Sequence, residues 1–456
     1  MRDGILWTWR ELCKAVGADP VDGPAVRGID IDSRKLAPGD LFIALSGDPG
    51  PRFPGARPSP RDGHDFLEAA FAAGAAGALV HRDAPGQGPC LVVHDTLDGL
   101  WDLGRAARAR TDARVAAITG SSGKTTAKTF LAQALGAFAT PGSLNNHLGV
   151  PLSLARTPAD ARFAVYEIGT SHPGEIAPLS RLARPDVAVV LNVHPAHIEF
   201  FDGIDALRRE KLSIAEGLRP GGTLVCLDTL DQTGVDPALP VMTFGESPGA
   251  DVRLVAFDGR RATIATPSGT VRPDVPGGGV HRALSLAAAA AVLAAFDADP
   301  RRLADITHDA VPAGRGNRIQ AGQVTLIDDS YNANPASMSA ALRDLAGLRA
   351  GGRTVALLGE MLELGEDSGR LHTALVPLCA RIDRVLCVGA GMRELHDGLE
   401  PSRRLGFIES PDDLDATALT ALLEPGDVVL LKGSNRVFWA RDFAARLRDA
   451  LNARAV

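Results

Sequence analysis

From residue 111 to about 311, apolar runs alternate with helix-length segments: "RVAAIT", a helix from Lys124, "RFAVYEIG", "DVAVVLNV", a helix through "IDALRREKLSIAEGL", then "GGTLVCLD". Few folds accept that order. Strand-like runs joined by crossovers of about a dozen residues or more predict a parallel sheet with helices on both faces. A β-branched stretch, "VRLVAFDGRRATIATPSGTVRPDV", and an alanine-rich helix close this unit. After "VPAGRGNR" the alternation restarts with "QVTLIDDSY", "SMSAALRDLAGL", "RTVALLGEM", "DRVLCVGAG" and "DVVLLKGS", which predicts a second parallel-sheet unit with a dinucleotide-fold-like rhythm. "GAG" at 389–391 is only a trace of a dinucleotide fingerprint, since no G-x-G-x-x-G follows. Before residue 110, short strands ("GIDIDSR", "DLFIAL", "GALVH", "CLVVHD") mix with a helix, "HDFLEAAFAAG", and suggest a small α/β unit.

The expected fold class is therefore α/β with three domains, at 1–110, 111–311 and 312–456. At 456 residues and 45% apolar side chains the chain is too long for one core and can fill several. Inside the first unit, 48–63 carries five prolines and three glycines, so it cannot enter a strand or helix interior and reads as a surface loop or a flap over a ligand.

Charge and cysteine usage narrow the function class. A net charge of −7 and the lack of a Lys/Arg-rich run argue against nucleic acid as a partner. The N-terminus has no signal-peptide apolar core. The longest bland stretch, 283–296, has 14 residues, short of the roughly 20 that span a bilayer, so it reads as a buried helix and no membrane insertion is expected. Five scattered cysteines (Cys13, Cys90, Cys226, Cys379, Cys387) without a C-x-x-C pair fit a reducing cytoplasm better than a disulfide framework or a zinc site.

The segment "TGSSGKTT" (119–126) stands between a predicted buried strand and a helix, the setting in which such a loop binds phosphate. Gly120 and Gly123 let backbone N–H groups approach phosphate oxygens, with Ser121, Ser122 and Thr126 in the same turn. Lys124 reaches the terminal phosphates, and the Thr125 hydroxyl can ligate Mg²⁺. The loop points to ATP or GTP without naming a reaction. Glu167 ends the next strand, in "YEIGTSHPGEI", and His194 and His197 follow another, in "LNVHPAHIEF". Carboxyl ends of parallel strands face one crevice, so these groups can converge on a metal cluster; a capping glutamate and surface histidines are the plainer alternatives.

Only six of the 48 basic residues are lysine: 14, 35, 124, 128, 211 and 432. In a chain that prefers arginine, each lysine raises the question of what arginine could not do. Arginine cannot lose its proton at working pH, whereas Lys211, in "RREKLSI", can become a neutral amine and take up CO₂ as a carbamate; an ordinary exposed lysine is the alternative. Arg315, in "PAGRGNR", sits at an apparent interdomain hinge where its guanidinium can close onto a terminal phosphate. In "DDSYNANP", Asp329 can hold ribose hydroxyls, while Asn332 and Asn334 add donors and acceptors. Lys432 ends another strand of the same sheet and can meet a carboxylate; a surface role for Asp329 or Lys432 is the alternative.

Taken in order, "TGSSGKTT", "SLNNHLGVPLSL", "EIGTSHPGEI", "NVHPAHIEFF", "GRGNR", "DDSYNANPASM", "LGEMLELGEDS" and "VLLKGSN" resemble the Mur ligases, ATP-dependent amide-bond ligases that build the peptidoglycan precursor. The resemblance runs over essentially the whole chain, since "GIDIDSRKLAPGDLFIALSG" and "DGHDF" look like the family's N-terminal UDP-sugar module. "NNHLGVPL", "DDSYNANP" and "LGEMLELG" resemble the branch that adds D-alanyl-D-alanine; the D-N-P-R and G-D-R-D segments of the third-residue-adding branch are missing.

The resemblance implies a small UDP-sugar-binding domain, a central ATP-binding domain and a C-terminal ligase domain. ATP phosphorylates the carboxylate of UDP-N-acetylmuramoyl-tripeptide, and the amine of D-alanyl-D-alanine attacks the acyl phosphate. It also implies that Thr125 and Glu167 hold one Mg²⁺, and that His197 and a carbamylated Lys211 help with a second. Ser33 and Arg34 would contact the UDP end, Asn145, Asn146, His147 and Lys432 the substrates, and Arg315 and Asp329 the ATP. A cytoplasmic monomer is expected.

Three departures stand out. The family's H-N-x-x-N segment reads "HRALS" here, with Arg282 and Ser285 in place of the asparagines, so the usual adenine contact is in question. Its alanine-lysine pair is Glu210-Lys211, and the proline-rich loop is longer than usual. A related ligase with another acceptor, or a non-catalytic ATP-binding scaffold, are the competing readings.

Overall fold

The structure, a computed structural model, describes residues 4–50, 53, 58–82, 88–348 and 351–454. Residues 51, 52 and 54–57 of the proline-rich loop lie outside the described residues. Three sheets organise the chain. The first is all parallel, in the order β1 (Gly28–Asp30), β2 (Asp40–Ile43), β3 (Gly77–Val80), β4 (Cys90–Val92).

The second sheet has eight strands: β5 (Arg114–Thr119), β6 (Phe163–Glu167), β7 (Val187–Val190), β8 (Thr223–Leu227), β9 (Val241–Gly245), β10 (Val252–Phe257), β11 (Ala262–Thr266) and β12 (Gly269–Val271), arranged β12-β11-β10-β9-β8-β7-β5-β6. Strands β5 to β10 pair in parallel, as the crossover spacing predicts for β5 to β8. The β-branched stretch departs from that pattern, because β10, β11 and β12 pair antiparallel. The cause is local: Asp258 accepts the N–H groups of Arg260 and Arg261, and Gly259 takes φ +93°, so the chain reverses before a crossover helix can form.

The third sheet, β13 (Asn317–Ala321), β14 (Val324–Asp329), β15 (Thr354–Gly359), β16 (Arg384–Val388), β17 (Arg404–Ile408) and β18 (Val428–Lys432), runs β13-β14-β18-β15-β16-β17. It is parallel except for the edge strand β13, which folds back on β14 as a hairpin. The α/β class, with a small first unit and two parallel-sheet units, thus matches the expectation; the first sheet proves parallel as well, and the other two carry antiparallel margins.

The alanine-rich helix Val280–Ala295 is buried along most of its length rather than along a stripe. Its small side chains let it lie close to the sheet and to the helix Lys124–Leu135, forming one core with Ile118, Phe130, Val189, Val225 and Phe244. No helix among the described residues is long and apolar enough to cross a membrane.

The first unit is tied to the second by groups that would otherwise be orphaned. Trp7 Nε1 donates to Ala155 O at 2.9 Å, and Arg156 Nε donates to Ile29 O at 2.6 Å while its fork reaches Asp30. Trp101 Nε1 donates to His147 O at 2.9 Å, which fixes the segment carrying Asn145 and Asn146. Between the second and third units one link is Arg282, whose guanidinium donates to Gly277 O, Gly278 O and, at 2.6 Å, Arg315 O.

Phe130 is fully buried between the phosphate-loop helix and the central sheet. Phe130→Ala is expected to cost about 3–5 kcal/mol, seen as a lower urea midpoint for the transition of the central unit.

Candidate active site

The loop after β5 turns sharply because Gly123 takes φ +80°, a conformation that costs glycine little, and Lys124 then opens a helix that runs to Leu135. The loop is held from the neighbouring strand end. Ser121 N donates to Asn192 O, Ser121 Oγ donates to His194 O at 2.8 Å, and Ser122 N donates to Asn192 Oδ1 at 3.0 Å. Lys124 Nζ lies over the loop, donating to Gly120 O at 2.8 Å. With the helix N-terminus beneath it, this is a rigid anion-binding turn.

At the end of β6, Glu167 is 2% exposed. It accepts hydrogen bonds from Thr125 Oγ1 at 2.8 Å, Ser143 Oγ at 2.7 Å and Asn145 Nδ2 at 2.8 Å, and lies 3.8 Å from Lys128 Nζ. Burial pushes its carboxyl up, but Lys124, Lys128 and Arg315 together with the Ser143 hydroxyl outweigh that and hold it below the usual range. Burial also lowers Lys124 and Lys128, with Glu167 opposing in each case. Thr125 and Glu167 therefore present adjoining oxygen donors beside a phosphate loop, a hard-ligand set that suits Mg²⁺.

Lys211 is 3% exposed, on the helix Gly203–Leu212, and does not line the cleft itself. The exposed-lysine alternative is set aside. Burial first, and then the charge of Lys124, pushes its ammonium down to about 7, with Glu210 opposing. Glu210 is itself buried, accepting the N–H groups of Gly174 at 2.7 Å and Ile176 at 2.8 Å, so the departure from the family's alanine has a structural use at the start of the helix Ile176–Ala183. His194 is lowered by burial and then by Lys211. His197 has φ +55° and pairs through Nδ1 with Glu363 of the third unit, which leaves Nε2 for a ligand.

From the third unit, Lys432 is 2% exposed and donates to Asp329 Oδ2 at 2.6 Å and to Asn332 O at 3.2 Å. The surface alternative for Lys432 falls away, and the carboxylate it meets is Asp329. Asn334 caps the helix Pro335–Gly347 and donates to Ser121 O at 3.2 Å, a direct tie between the third unit and the phosphate loop. Arg315 stacks its guanidinium 4.2 Å over Tyr331.

Most of these residues line one cleft of about 560 Å³, within the range of roughly 300–1,000 Å³ usual for ligand pockets. It gathers Ser121, Ser122, Gly123, Lys124, Thr126, Asn145, Asn146, His147, Glu167, His194, His197, Arg315, Asp329, Asn332, Asn334 and Lys432. Thr125 is buried directly behind Glu167, and Gly120 lies under Lys124. Ser33 and Arg34 are not among them: they form a short turn after β1, where Arg34 is 81% exposed and grips Asp32 with two bonds of 2.9 Å. Arg282 and Ser285 both line the cleft, but Arg282 is spent on backbone carbonyls and Ser285 Oγ donates to His281 O.

Three participants escape motif reading. Lys128 is buried against Glu167, and its signal was the scarcity of lysine. Ser143 carried no signal beyond its nearness to "NNH". Glu363 reaches the site only through the fold.

A phosphate loop, a buried carboxylate at the next strand end and cations from the third unit, gathered in one cleft, define a nucleotide-dependent enzyme. The family model of the Mur ligase middle domain matches residues 118–293, and that of the Mur ligase glutamate ligase domain matches 314–435. The UDP-N-acetylmuramoyl-tripeptide–D-alanyl-D-alanine ligase of Escherichia coli (strain K12) is 38% identical over 381 residues, 79% of this chain and 81% of its own. A crystal structure of MurF from Acinetobacter baumannii superposes with a TM-score of 0.82 at 31% identity, covering 97% of this chain and 99% of that one. MurF ligase from Thermotoga maritima in complex with ADP gives 0.75 at 29% identity, covering 94% and 98%. The chain belongs to the Mur ligase family of ATP-dependent, ADP-forming ligases.

Lys124→Met removes a charged contact to phosphate while keeping length. Affinity for a fluorescent ATP analogue is expected to fall roughly tenfold to a hundredfold, with the circular-dichroism spectrum unchanged.

Proposed function

We propose that this enzyme joins D-alanyl-D-alanine to UDP-N-acetylmuramoyl-tripeptide at the expense of ATP, giving the UDP-linked pentapeptide of peptidoglycan synthesis, and that it works in the cytoplasm as a monomer. The observation that carries the reading is the single cleft in which the phosphate loop and Glu167 meet Arg315 and the Asp329–Lys432 pair. The names of the similar proteins from Escherichia coli and Acinetobacter baumannii support the same substrates. We assign the unit spanning 1–110 to the UDP-sugar, with Ser33 and Arg34 at its uridine end, 111–311 to ATP and 312–456 to ligation.

The first step needs the tripeptide carboxylate to meet the γ-phosphorus of ATP; the new O–P bond forms as the bond to the β-phosphate oxygen breaks and ADP leaves. Both partners are anionic, so neutralisation and positioning dominate the barrier. The N–H groups of the 120–126 turn cradle the phosphates, while Lys124 and Arg315 flank the moving phosphoryl group. In the second step the neutral amine of the dipeptide attacks the acyl carbon, and phosphate leaves from the tetrahedral intermediate as the amine sheds its proton. Asn145, Asn146 and His147 from the second unit, and Lys432 from the third, stand where substrate carbonyls and carboxylates would be oriented. Mg²⁺ held by Thr125 and Glu167, with a second ion at His197 and a carbamylated Lys211, would supply charge neutralisation for the phosphates. Asp329, Asn332 and Asn334 are assigned to the nucleoside side of ATP.

Mass spectrometry of the purified protein with Mg-ATP, the UDP-tripeptide and D-alanyl-D-alanine, omitting each in turn, tests the whole assignment. Pentapeptide with matching ADP is expected only in the complete mixture; ATP bound without product in any mixture would overturn it.

Carbamate formation consumes a neutral amine. Lys211, lowered to about 7, is protonated and unreactive below that pH and neutral above it. The ¹³CO₂-derived carbamate resonance is therefore expected to grow between pH 6 and pH 8 and to be missing in Lys211→Arg. Lys211→Ala should lose ligation and regain part of it with added small carboxylates; full activity of Lys211→Arg would exclude the carbamate.

A further inference from the structure

We propose that Glu363 is a positioning residue that aims His197 at the second metal ion, so that this metal site is complete only when the C-terminal unit is docked on the central one. The inference rests on the reading of His197 as a metal ligand.

The geometry comes from both sides of the interface. His197 and Glu363, 166 residues apart, meet through Nδ1 and a carboxylate oxygen. An imidazole has two ring nitrogens, and one held by a carboxylate has its tautomer and orientation set, with Nε2 free to ligate; this is how carboxylates commonly support metal-bound histidines. Among the described residues, five that are not glycine have positive φ, and this pair accounts for two of them, at +55° and +62°. Their side chains are 31% and 45% exposed, and an ion pair so open to water is too weak to hold two left-handed backbones for stability alone.

The surrounding turn is shaped to deliver the carboxylate. Gly365 takes φ +60°, and a Cβ there would come within 3.2 Å of Glu199 Cβ, so the 363–365 turn packs directly on the turn that carries His197. Leu362 N donates to Ser434 Oγ at 2.9 Å, and Ser434 N donates to Glu360 O at 3.1 Å. Ser434 follows β18 by two residues, and β18 ends in Lys432, the partner of Asp329. One rigid sheet end therefore presents both the Lys432–Asp329 pair and Glu363 to the cleft, and the C-terminal unit brings the two together.

The test is an electron paramagnetic resonance titration of the full-length protein with Mn²⁺ in place of Mg²⁺, in the presence of a non-hydrolysable ATP analogue and the UDP-tripeptide. Wild type is expected to show two sites. Glu363→Ala should keep the first and weaken the second about tenfold to a hundredfold. Glu363→Gln, which retains an acceptor for Nδ1–H, should recover most of that loss. In ligation assays Glu363→Ala should lower kcat with the KM for ATP little changed, and adding His197→Ala to it should cost little more. Two sites of wild-type affinity in Glu363→Ala, or fully additive effects of the two substitutions, would overturn the assignment of Glu363 alone. A single Mn²⁺ site in wild type would overturn it together with the ligand role of His197.

Discussion

The active site depends on a buried carboxylate that has been made affordable. Removing Glu167 from water would be costly if it were left alone, and the surrounding structure is arranged around its charge. Hydroxyls from Thr125 and Ser143 and the amide of Asn145 satisfy its oxygens, while Lys124, Lys128 and Arg315 supply the compensating field. They come from three segments: the phosphate loop and its helix, the 143–147 stretch, and the start of the third unit. Holding one anion thus brings cations and oxygen donors from three segments together beside the phosphate loop. The same cations would meet phosphate oxygens when ATP enters, so the site is organised in advance for the charge that the reaction moves.

The use of lysine follows from this field. Four of the six lysines, 124, 128, 211 and 432, stand in the cleft or buried beside it, whereas Lys14 and Lys35 are exposed. Arginine occupies the other basic positions, including Arg282, where a planar fork of five donors suits three backbone carbonyls at the junction of the second and third units. A buried compact ammonium and a guanidinium spanning the junction of two units do different work, and the chain keeps them apart.

Much of the fold was legible because its signals are local. Apolar runs spaced by helix-length crossovers specify parallel strands, and "TGSSGKTT" between such a run and a helix specifies an anion-binding turn. The strand-end position of Glu167, and that of His197 in the loop after β7, follow from the same rhythm. The antiparallel margin at β10 to β12 was missed because its deciding feature, the Asp258-Gly259 reversal, is shorter than the periodicities that mark strands and helices. Ser33 and Arg34 illustrate the opposite limit: their motif was recognisable, but Arg34 is turned onto Asp32, a pairing that follows from the N-cap geometry of one short turn.

The sequence by itself determined which residues could do chemistry: a phosphate turn, oxygen donors at strand ends, and a lysine where arginine would have served as well on a surface. These depend on bonded neighbours and on the fixed repeats of strand and helix, which act over a few residues. Only the tertiary structure decided that Lys128 would lean on Glu167, that Arg282 would clasp the carbonyl of Arg315, and that Glu363 would meet His197. Those contacts join separate segments, in two cases from different sheets, and depend on how whole units pack. No short-range rule carries that information, because docking geometry is set by the summed shape and burial of the surfaces.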